Sequence, residues 1–534
     1  MHNSWRDINT LYHIYPRSFQ DTNDDGIGDL PGITSRLDYL SLVLGVDAMW
    51  LSPFFTSPMR DFGYDVANYR QVDSDYGTLD DFKKLLDEAH RRHMKVMIDF
   101  VPCHTSDQHA WFKESRSSRD NPKRDYYTWR DPGPDGGAPN NWLSQSGGTS
   151  WTFDETTGQY YLHSFLSAQP DLNWDNPSLR KEMTDTVRWW FEQGVDGMRV
   201  DAIWGISKDP NLADDPQNPE FHGEHPSEYG HFIHNKCKYG PNFTNYLKEL
   251  SDVCHEFENR QMIFEFYPDD KIGDFYDQYH QVAAEVNPDV ASTFFMELIR
   301  SPWHADMLGN GLDRYINYAA KDALPVFCLG NHDQPRIVSR IGESKARAMA
   351  LLNLTLPGLS VIYYGDEIGM ENGELTPSQV RDTFSPLNTS DTTRDLERTP
   401  MQWDHSARTS FSQVTPWLPI HKNHRTINAM TELSDSSSML SLYRRLVRLR
   451  KQYPVLRIGS FTRLFVGSGY VLAFKRELDD QRVYVVVNFA DQPQDIQLPE
   501  ICSYLVSSQT APRERESREA KPTLRPLEAV LYIA

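Results

Sequence analysis

The sequence predicts an α/β fold: a closed (β/α)8 TIM barrel with a small inserted domain after the third strand and a C-terminal antiparallel β-sandwich domain. Short apolar runs alternate with helix-like segments over most of the 534 residues, which favours parallel strands joined by right-handed crossovers. The alternation breaks after the third run, and near the end it changes to a period of two. Closure of eight strands is the economical arrangement, and a doubly wound open sheet is the alternative.

Eight apolar runs are the predicted barrel strands, and helical patterns lie between most of them. The strands are 10–15, 48–51, 96–101, 197–200, 262–266, 292–296, 326–329 and 361–364. The clearest helices are 79–92, 178–191, 243–257 and 345–354. These lengths fit short buried strands that are each followed by a helix returning along the sheet.

The segment after the third strand is too long for an ordinary loop. About seventy residues before position 178 lack a clear helical pattern, and 121–150 is rich in Pro, Gly, Asn and Trp. We therefore expect an inserted domain at 103–170, with the barrel formed by 1–102 and 171–457. A second polar excursion, 366–435, follows the eighth strand and would lie over the same face of the barrel.

The last part of the chain has the pattern of an antiparallel sheet. From residue 458 the runs RLFVGSGYVLAFKR, RVYVVVNFA and AVLYIA alternate apolar and polar positions, with turn residues between them. Residues 458–534 are therefore predicted to form a separate β domain.

The composition limits which classes of partner and which cellular compartment are expected. The formal charge of −21 disfavours nucleic acid and anionic membrane surfaces as partners. Five widely spaced cysteines without a Cys-x-x-Cys pair favour a reducing compartment. The start has no signal-peptide core and no run approaches eighteen apolar residues, so we expect a cytoplasmic protein with no membrane span. The 13 Trp and 26 Tyr suit a sugar-binding cleft or simply a large aromatic core.

Acidic residues recur where the predicted strands end, which is where barrel enzymes carry their catalytic groups. Asp99 and Glu265 lie near the ends of the third and fifth strands, and Asp201 and Asp333 follow the fourth and the seventh. Clustered carboxylates shift each other's pKa values, so that one can donate a proton while another stays ionised. Cleavage of a glycosidic bond needs such a pair.

A loop near the N-terminus predicts a structural metal ion. The run DTNDDGIGD matches the first nine positions of an EF-hand-like calcium loop, although Gly32 stands where the bidentate Glu belongs. The expected ligands of Ca²⁺ or Mg²⁺ are Asp21, Asn23, Asp25, the carbonyl of Ile27 and Asp29. The alternative is an Asx-rich turn without a metal. No organic cofactor is predicted.

Several motifs, in order, resemble the α-amylase superfamily, glycoside hydrolase family 13, in its oligo-1,6-glucosidase and α-glucosidase branch. They are DFVPCH at 99–104, GVDGMRVDA at 194–202, FEF at 264–266 and NHD at 331–333. QPDLN, GVDAMWLSP and GLSVIYYGDEIGM are similar to the accessory regions of the family. The resemblance runs from about residue 5 to the end.

The resemblance implies the roles of the three acids. Asp201 is the nucleophile, Glu265 the general acid/base and Asp333 the carboxylate that stabilises the transition state. Arg199 stands two residues before Asp201, so both side chains point to the same side of the strand and the cation keeps the nucleophile ionised. The alternative for Arg199 is a structural ion pair.

The resemblance also implies a pocket for a terminal glucose. Asp61 and Tyr64 in DFGYD resemble the pair that holds this sugar, and Arg398 in ERTPMQWD resembles the arginine that closes the pocket over it. His104 and His332 are suited to hydrogen-bond the same ring, although a lone His is more often a core residue. Such a clamp would make the enzyme exo-acting.

We therefore expect a retaining exo-acting α-glucosidase with transglucosylation activity. Ala202, after the nucleophile, replaces the Val of α-1,6-cleaving relatives and favours short α-1,4 substrates such as maltose, with α-glucose as product. Oligo-1,6-glucosidase, sucrose isomerase and trehalose synthase remain alternatives. A binding ectodomain with a dead site, a Rossmann-type dehydrogenase and a metal-dependent hydrolase fit less well. The expected partner is a small oligosaccharide or glucoside, and the protein is expected to be a monomer or homodimer.

Overall fold

The computed structural model describes residues 4–223, 228–384, 389–511 and 518–534. The strands of its first two domains are β1 Thr10–Ile14, β2 Ala48–Leu51, β3 Phe55–Thr56, β4 Asn68–Val72, β5 Lys95–Phe100, β6 Trp129–Arg130, β7 Trp151–Asp154, β8 Gln159–Leu162, β9 Gly197–Val200, β10 Gln261–Phe264, β11 Ala291–Phe295, β12 Val326–Cys328 and β13 Leu359–Tyr363. The later strands are β14 Ser460–Leu464, β15 Val471–Leu478, β16 Gln481–Asn488, β17 Gln494–Asp495, β18 Cys502–Ser507, β19 Arg518–Glu519, β20 Thr523–Leu524 and β21 Ala529–Ile533.

The helices occur mainly between the barrel strands. They are α1 Leu30–Ser35, α2 Leu79–Arg91, α3 Ala110–Ser117, α4 Pro177–Glu192, α5 Phe243–Asp252, α6 Phe275–Glu285, α7 Glu297–Arg300, α8 Ala305–Arg314, α9 Ile337–Ile341, α10 Glu343–Thr355, α11 Ala429–Leu433, α12 Met439–Gln452 and α13 Val455–Ile458. Local sequence explains their starts: Thr78 and Asp81 form a capping box at α2, and Asn176 caps α4.

Eight parallel strands close into a barrel, which confirms the predicted fold class. In chain order, β1, β2, β5, β9, β10, β11, β12 and β13 each pair with the next, and β13 pairs with β1. All residues of these strands are buried. Burial on both faces explains why the strands read as continuous apolar runs rather than as alternating patterns.

An inserted unit follows β5, as the fold prediction requires. Its three-stranded antiparallel sheet has the order β6-β8-β7. The sequence reading expected no clear helix in this unit, but α3 is one, and His109 caps it by accepting a hydrogen bond from the Trp111 amide. Because α3 has only eight residues and is flanked by turn-rich sequence, its periodicity was too short to stand out.

The C-terminal strands form an antiparallel sheet of order β14-β15-β16-β21-β18-β19, with a short β17-β20 pair beside it. Two fully buried arginines, one from this sheet and one from α12, donate hydrogen bonds at the base of the barrel. Arg476 of β15 donates to the carbonyls of Thr355 and Gly459, and Arg450 of α12 donates to those of Asn9 and Leu356. These bonds satisfy backbone oxygens at the N-terminal ends of the barrel strands and at the helix ends beside them.

No helix in the described ranges is long and apolar enough to cross a membrane. All five cysteines are free and buried: Cys103, Cys237, Cys254, Cys328 and Cys502.

Candidate active site

A cavity of about 330 Å³ opens at the C-terminal ends of the barrel strands. Its walls combine the acids of the strand ends with aromatic and basic side chains from the loops above them. The lining residues are Asp61, Tyr64, His104, Gln145, Phe165, Asp201, Ala202, Trp204, Lys238, Tyr239, Glu265, Tyr267, His332, Asp333, Gln334, Phe384 and Arg394. The cavity thus contains seven of the nine residues predicted to be catalytic or substrate-binding, all but Arg199 and Arg398, together with others that were not predicted.

Strand register brings the central groups together. Asp99 of β5 lies beside Arg199 of β9, because these two residues are paired in the parallel ladder. The Asp201 amide donates to the Phe100 carbonyl and the Glu265 amide donates to the Val200 carbonyl, so both acids leave their strands at the same level. Both side chains therefore enter the cavity from neighbouring strand ends.

One guanidinium connects three carboxylates at the bottom of the cavity. Nη1 of Arg199 lies 2.8 Å from Asp99 Oδ1 and 2.5 Å from Asp201 Oδ1, and its Nη2 lies 2.7 Å from Glu265 Oε1. Asp99 is fully buried behind the wall, where it also accepts hydrogen bonds from Trp50 and Tyr64. Asp201 and Glu265 keep a small exposed surface and face the cavity.

This cluster retains a proton more readily than separate carboxylates would. Burial is the largest influence on both Asp99 and Asp201; the Arg199 charge opposes it, and the neighbouring acids add to it. The pKa of Asp99 is raised to about 6, and that of Asp201 is raised well above its usual range. Because the acids titrate together, a retained proton belongs to the group rather than to one residue. The site can therefore hold a proton donor beside an ionised carboxylate near neutral pH.

Asp333 lies in an environment of opposite character. Arg394 Nη1 and Arg398 Nη2 lie 3.1 and 3.0 Å from Asp333 Oδ1, and His332 Nε2 lies 3.2 Å from Oδ2. Burial alone would raise the pKa of Asp333, but these neighbours outweigh burial and hold it well below its usual range. Asp333 is thus a permanently ionised carboxylate at the edge of the cavity.

A second group of residues closes one end of the cavity. Asp61 is buried and receives hydrogen bonds from Arg394 at 2.7 Å and from Gln169 at 3.0 Å. The Tyr64 ring stacks on His332 with centroids 5.0 Å apart. Burial lowers the pKa of both His104 and His332, so the rings are neutral near pH 7 and each can donate one hydrogen bond.

The structure changes the assignment of the closing arginine. Arg398 is fully buried beneath the cavity, where its Nε donates to the His332 carbonyl, and it does not line the wall. Arg394 lines the cavity and links Asp61 to Asp333, which is the position that the sequence reading gave to Arg398. The two arginines are four residues apart on one polar excursion, and only the folded loop distinguishes them.

Ala202 has an unusual backbone conformation directly after Asp201. Its φ and ψ are both 42°, in the left-handed region that favours glycine. This conformation directs its amide to Glu265 Oε2, at 2.9 Å. Local strain here orients the carboxylate that faces Asp201.

An aromatic wall on the far side of the acids escaped the sequence reading. Phe165, Trp204, Tyr239, Tyr267 and Phe384 line this side, with Phe165 contacting both Trp204 and Phe384. These residues come from four separate loops, so no local pattern connects them.

The N-terminal acidic loop is compact, and two of its acidic residues are buried. Asp21 Oδ1 accepts from the amides of Asn23 and Asp24, and Asp29 caps α1 through the Gly32 amide. Asp21 and Asp29 are buried, and within the described ranges no Lys or Arg pairs with either. An all-oxygen group with two buried, unneutralised carboxylates fits a hard divalent cation, whereas its amide contacts also have the form of Asx turns.

Sequence comparison links both main parts of the chain to known domain families. A sequence model described as alpha amylase, catalytic domain, matches residues 13–459. A second one, described as maltogenic amylase, C-terminal domain, matches residues 461–531.

Individual proteins match almost end to end. An oligo-1,6-glucosidase of Halalkalibacterium halodurans is 36% identical, over 100% of this chain and 99% of its own length. A probable alpha-glucosidase of Rhizobium meliloti is 40% identical, over 93% and 91%. The crystal structure of the trehalulose synthase MutB of Pseudomonas mesoacidophila is 36% identical with a TM-score of 0.86, and 99% of each chain is covered.

Proposed function

Because this chain belongs to the alpha-amylase family, glycoside hydrolase family 13, we propose that it is a retaining, exo-acting α-glucosidase that favours short α-1,4-linked glucosides. Membership of the family and the named relatives establish a glycoside hydrolase of the glucosidase type. One observation carries the finer proposal: Asp201 and Glu265 contact the two terminal nitrogens of the same guanidinium while facing one cavity.

The proposed reaction uses these two acids in turn. Glu265 protonates the glycosidic oxygen as the Asp201 carboxylate attacks the anomeric carbon, which gives a glucosyl ester on Asp201 and the free leaving sugar. Glu265 then removes a proton from water, which attacks the ester and restores the α configuration. Arg199 orients both carboxylates throughout, since it contacts each of them.

The neighbouring charges favour the transition state. Positive charge develops on the sugar ring, and the ionised Asp333 lies at the cavity edge where it can stabilise that charge and bind ring hydroxyls. The ion pair of Arg394 with Asp61 supports exo action, because it blocks the end of the cavity through which a longer chain would have to pass.

The choice of linkage and of acceptor depends on the side of the cavity opposite the ion pair of Arg394 with Asp61. Ala202 is small, which by the family resemblance favours α-1,4 links, and its amide donates to Glu265 Oε2. The aromatic wall of Phe165, Trp204 and Phe384 provides flat faces on which a second sugar can stack while it replaces water. This wall supports transglucosylation as a side reaction.

The alternative with the same catalytic acids is isomerisation. A similar enzyme is named a trehalulose synthase, and a related structure contains sucrose as its substrate. Isomerisation requires the leaving sugar to remain stacked and to attack the ester through another hydroxyl. The distinction therefore depends on retention of the leaving group at the aromatic wall.

Product analysis tests the proposal and its alternative together. The protein is incubated with maltose, isomaltose, sucrose, trehalose and nitrophenyl α-glucoside, and products are followed by proton NMR from the first minute, with Asp201→Asn as the inactive control. We expect maltose to be cleaved fastest, with α-glucose appearing before β-glucose. Immediate β-glucose would contradict retention, and rearranged disaccharide as the main product from sucrose would favour the isomerase.

The N-terminal loop is proposed to hold one structural Ca²⁺ or Mg²⁺. Its predicted ligands are Asp21, Asn23, Asp25, the Ile27 carbonyl and Asp29. The burial of Asp21 and Asp29, neither of which pairs with a Lys or Arg among the described residues, supports this assignment. We expect chelator treatment to lower the melting temperature, Mg²⁺ or Ca²⁺ to restore it, and Asp21→Asn to abolish the response.

A further inference from the structure

A buried group of three different metal-ligand side chains lies outside the active site. Asp215, His234 and Cys237 each offer one ligand atom, and these atoms lie within 4.8 Å of one another. All three residues are at least 94% buried. They come from the long loop between β9 and α5, and neither the proposed reaction nor the N-terminal acidic loop uses them.

The spacing of the ligand atoms is close to that of a tetrahedral zinc site. His234 Nδ1 lies 3.2 Å from Asp215 Oδ2 and 3.5 Å from Cys237 Sγ. Ligands bound about 2.0–2.3 Å from a tetrahedral zinc ion lie roughly 3.3–3.6 Å from each other. Little rearrangement is therefore needed to place one ion among the three atoms.

The surrounding hydrogen bonds leave the ligand atoms facing inward. His234 Nε2 lies 2.6 Å from the Tyr229 carbonyl, which can only accept, so Nε2 carries a proton and Nδ1 is the nitrogen left to bind a metal ion. Asp215 Oδ1 accepts from the Lys236 amide, which turns Oδ2 toward the ring. A histidine that donates its second nitrogen to a carbonyl and a carboxylate held by an amide are typical outer contacts of a bound metal.

No lysine of the described residues forms an ion pair with Asp215, although Lys208 and Lys238 lie close enough for their charges to act on Cys237. In the part of the chain that the structure describes, Lys208 pairs with Asp171, Lys236 pairs with Asp209, and Lys238 lies over the rings of Trp204 and Tyr229. The ligand atoms of a carboxylate, an imidazole and a thiol thus converge on one point, where they contact one another through hydrogen bonds that a metal cation can replace.

The geometry points to a zinc site formed by Asp215, His234 and Cys237. The nitrogen, sulfur and carboxylate donors are the set that zinc prefers, and its fourth position is open to water. Zinc binding displaces the thiol proton of Cys237 to solvent as the Zn–S bond forms.

Such an ion would connect the inserted domain to the wall of the active site. Asp215 is held by Asn141 of the inserted unit, which accepts from its amide and donates to its carbonyl. Cys237 directly precedes Lys238 and Tyr239, which line the active-site cavity. The role assigned to the ion is structural: it fixes the cavity-lining segment against the neighbouring domain.

Metal binding to the intact protein tests this site directly. Chelator-treated protein is titrated with Zn²⁺ in excess Mg²⁺ and Ca²⁺, which occupy the N-terminal loop, and binding is followed by calorimetry, elemental analysis and proton release. We expect one zinc per chain, release of a proton, and a raised melting temperature. Co²⁺ in place of Zn²⁺ should give the near-ultraviolet charge-transfer band of a thiolate ligand.

Matched variants distinguish this site from adventitious binding. His234→Gln and Cys237→Ser should weaken zinc binding at least tenfold, whereas Cys254→Ser, which changes a buried cysteine elsewhere, should bind zinc like the unmodified protein. Circular dichroism confirms that each variant is folded, and the cobalt band of the unmodified protein needs no variant. Absence of the thiolate band, or equal zinc binding by Cys237→Ser, would overturn the assignment.

Discussion

The two ends of the barrel both bury arginines, but they use them in opposite ways. At the C-terminal end, Arg199 faces three carboxylates, and its Nε, like Nδ1 of His104 and of His332, has no hydrogen-bond partner among the described residues. At the N-terminal end, Arg450 and Arg476 are equally buried, and all their nitrogens donate to backbone carbonyls.

The buried arginines at the two ends have different roles: those at the N-terminal end stabilise the fold, and Arg199 at the C-terminal end supports the reaction. Carbonyl oxygens are neutral and fixed, so the arginines at the base hold the barrel and the C-terminal sheet together without leaving a group to react. At the other end, three carboxylates share the single positive charge of Arg199. One of them can therefore retain a proton for transfer while another stays ionised. Substitutions at the two ends should therefore affect different measured quantities.

Asp201→Asn should cause the largest loss of activity and, at the same time, a gain in stability. Without the nucleophile, kcat should fall about 10⁴-fold or more. The pKa of Asp201 is raised in the folded protein, so its ionisation at neutral pH costs folding energy, and a neutral side chain avoids that cost. Urea unfolding at pH 7 should show a more stable variant, and this gain should shrink as pH falls toward the ordinary carboxyl pKa.

Asp333→Asn is the control for the predicted direction of the stability change. The pKa of Asp333 is lowered, so its ionisation stabilises the folded state above the unfolded pKa, and this contribution is lost as pH falls. The variant should be inactive and also less stable than the unmodified protein at pH 7. Equal stability changes in the two variants would contradict the electrostatic contrast within the site.

Glu265→Gln should show a loss that depends on the leaving group. General acid catalysis contributes about 10²–10⁴-fold, and maltose should lose most of it because its leaving alkoxide needs a proton. Nitrophenyl α-glucoside needs little protonation, so its glucosylation rate should fall much less. Pre-steady-state release of nitrophenol measures this step; an equal loss with both substrates would remove Glu265 from the acid role.

Arg450→Met tests the structural end of the barrel. The change leaves several buried carbonyls without a donor, which should lower the free energy of unfolding by about 3 kcal/mol. The kcat of the folded variant at low temperature should stay within about twofold of the original. A large fall in kcat without loss of stability would show that the two ends are not independent.

Arg394→Met should mainly weaken substrate binding. It removes the ion pairs with Asp61 and Asp333, and loss of charged hydrogen bonds worth about 1.5–3 kcal/mol should raise KM for maltose roughly 10- to 100-fold. Arg398→Met, beneath the cavity, should lower the melting temperature more and KM less. The reverse pattern would restore Arg398 as the residue that closes the pocket.

Ala202→Val should give the smallest effect, a shift of linkage preference. The ratio of kcat/KM for isomaltose to that for maltose should rise severalfold, and the left-handed backbone should make the variant about 1 kcal/mol less stable. Ala202→Gly fits this backbone without adding bulk, so its ratio should not rise. An unchanged ratio in both variants would separate residue 202 from linkage choice.

The sequence was sufficient for what depends on local patterns. The eight strands are short apolar runs, and Asp201, Glu265 and Asp333 follow them in motifs, so the barrel and the meeting of the acids could be predicted. Contacts between distant loops could not be predicted. The choice of Arg394 over Arg398 depends on how the excursion after β13 folds, and the aromatic wall combines residues from four loops.

Covalent trapping tests the central claim, that Asp201 attacks the sugar while Glu265 supplies the proton. The protein is incubated with 5-fluoro-α-glucosyl fluoride, digested, and mapped by mass spectrometry, with Asp201→Asn treated in parallel. The glucosyl adduct should appear on the Asp201 carboxylate and be absent from the variant. An adduct on Glu265 or Asp333, or one that persists in Asp201→Asn, would contradict the account.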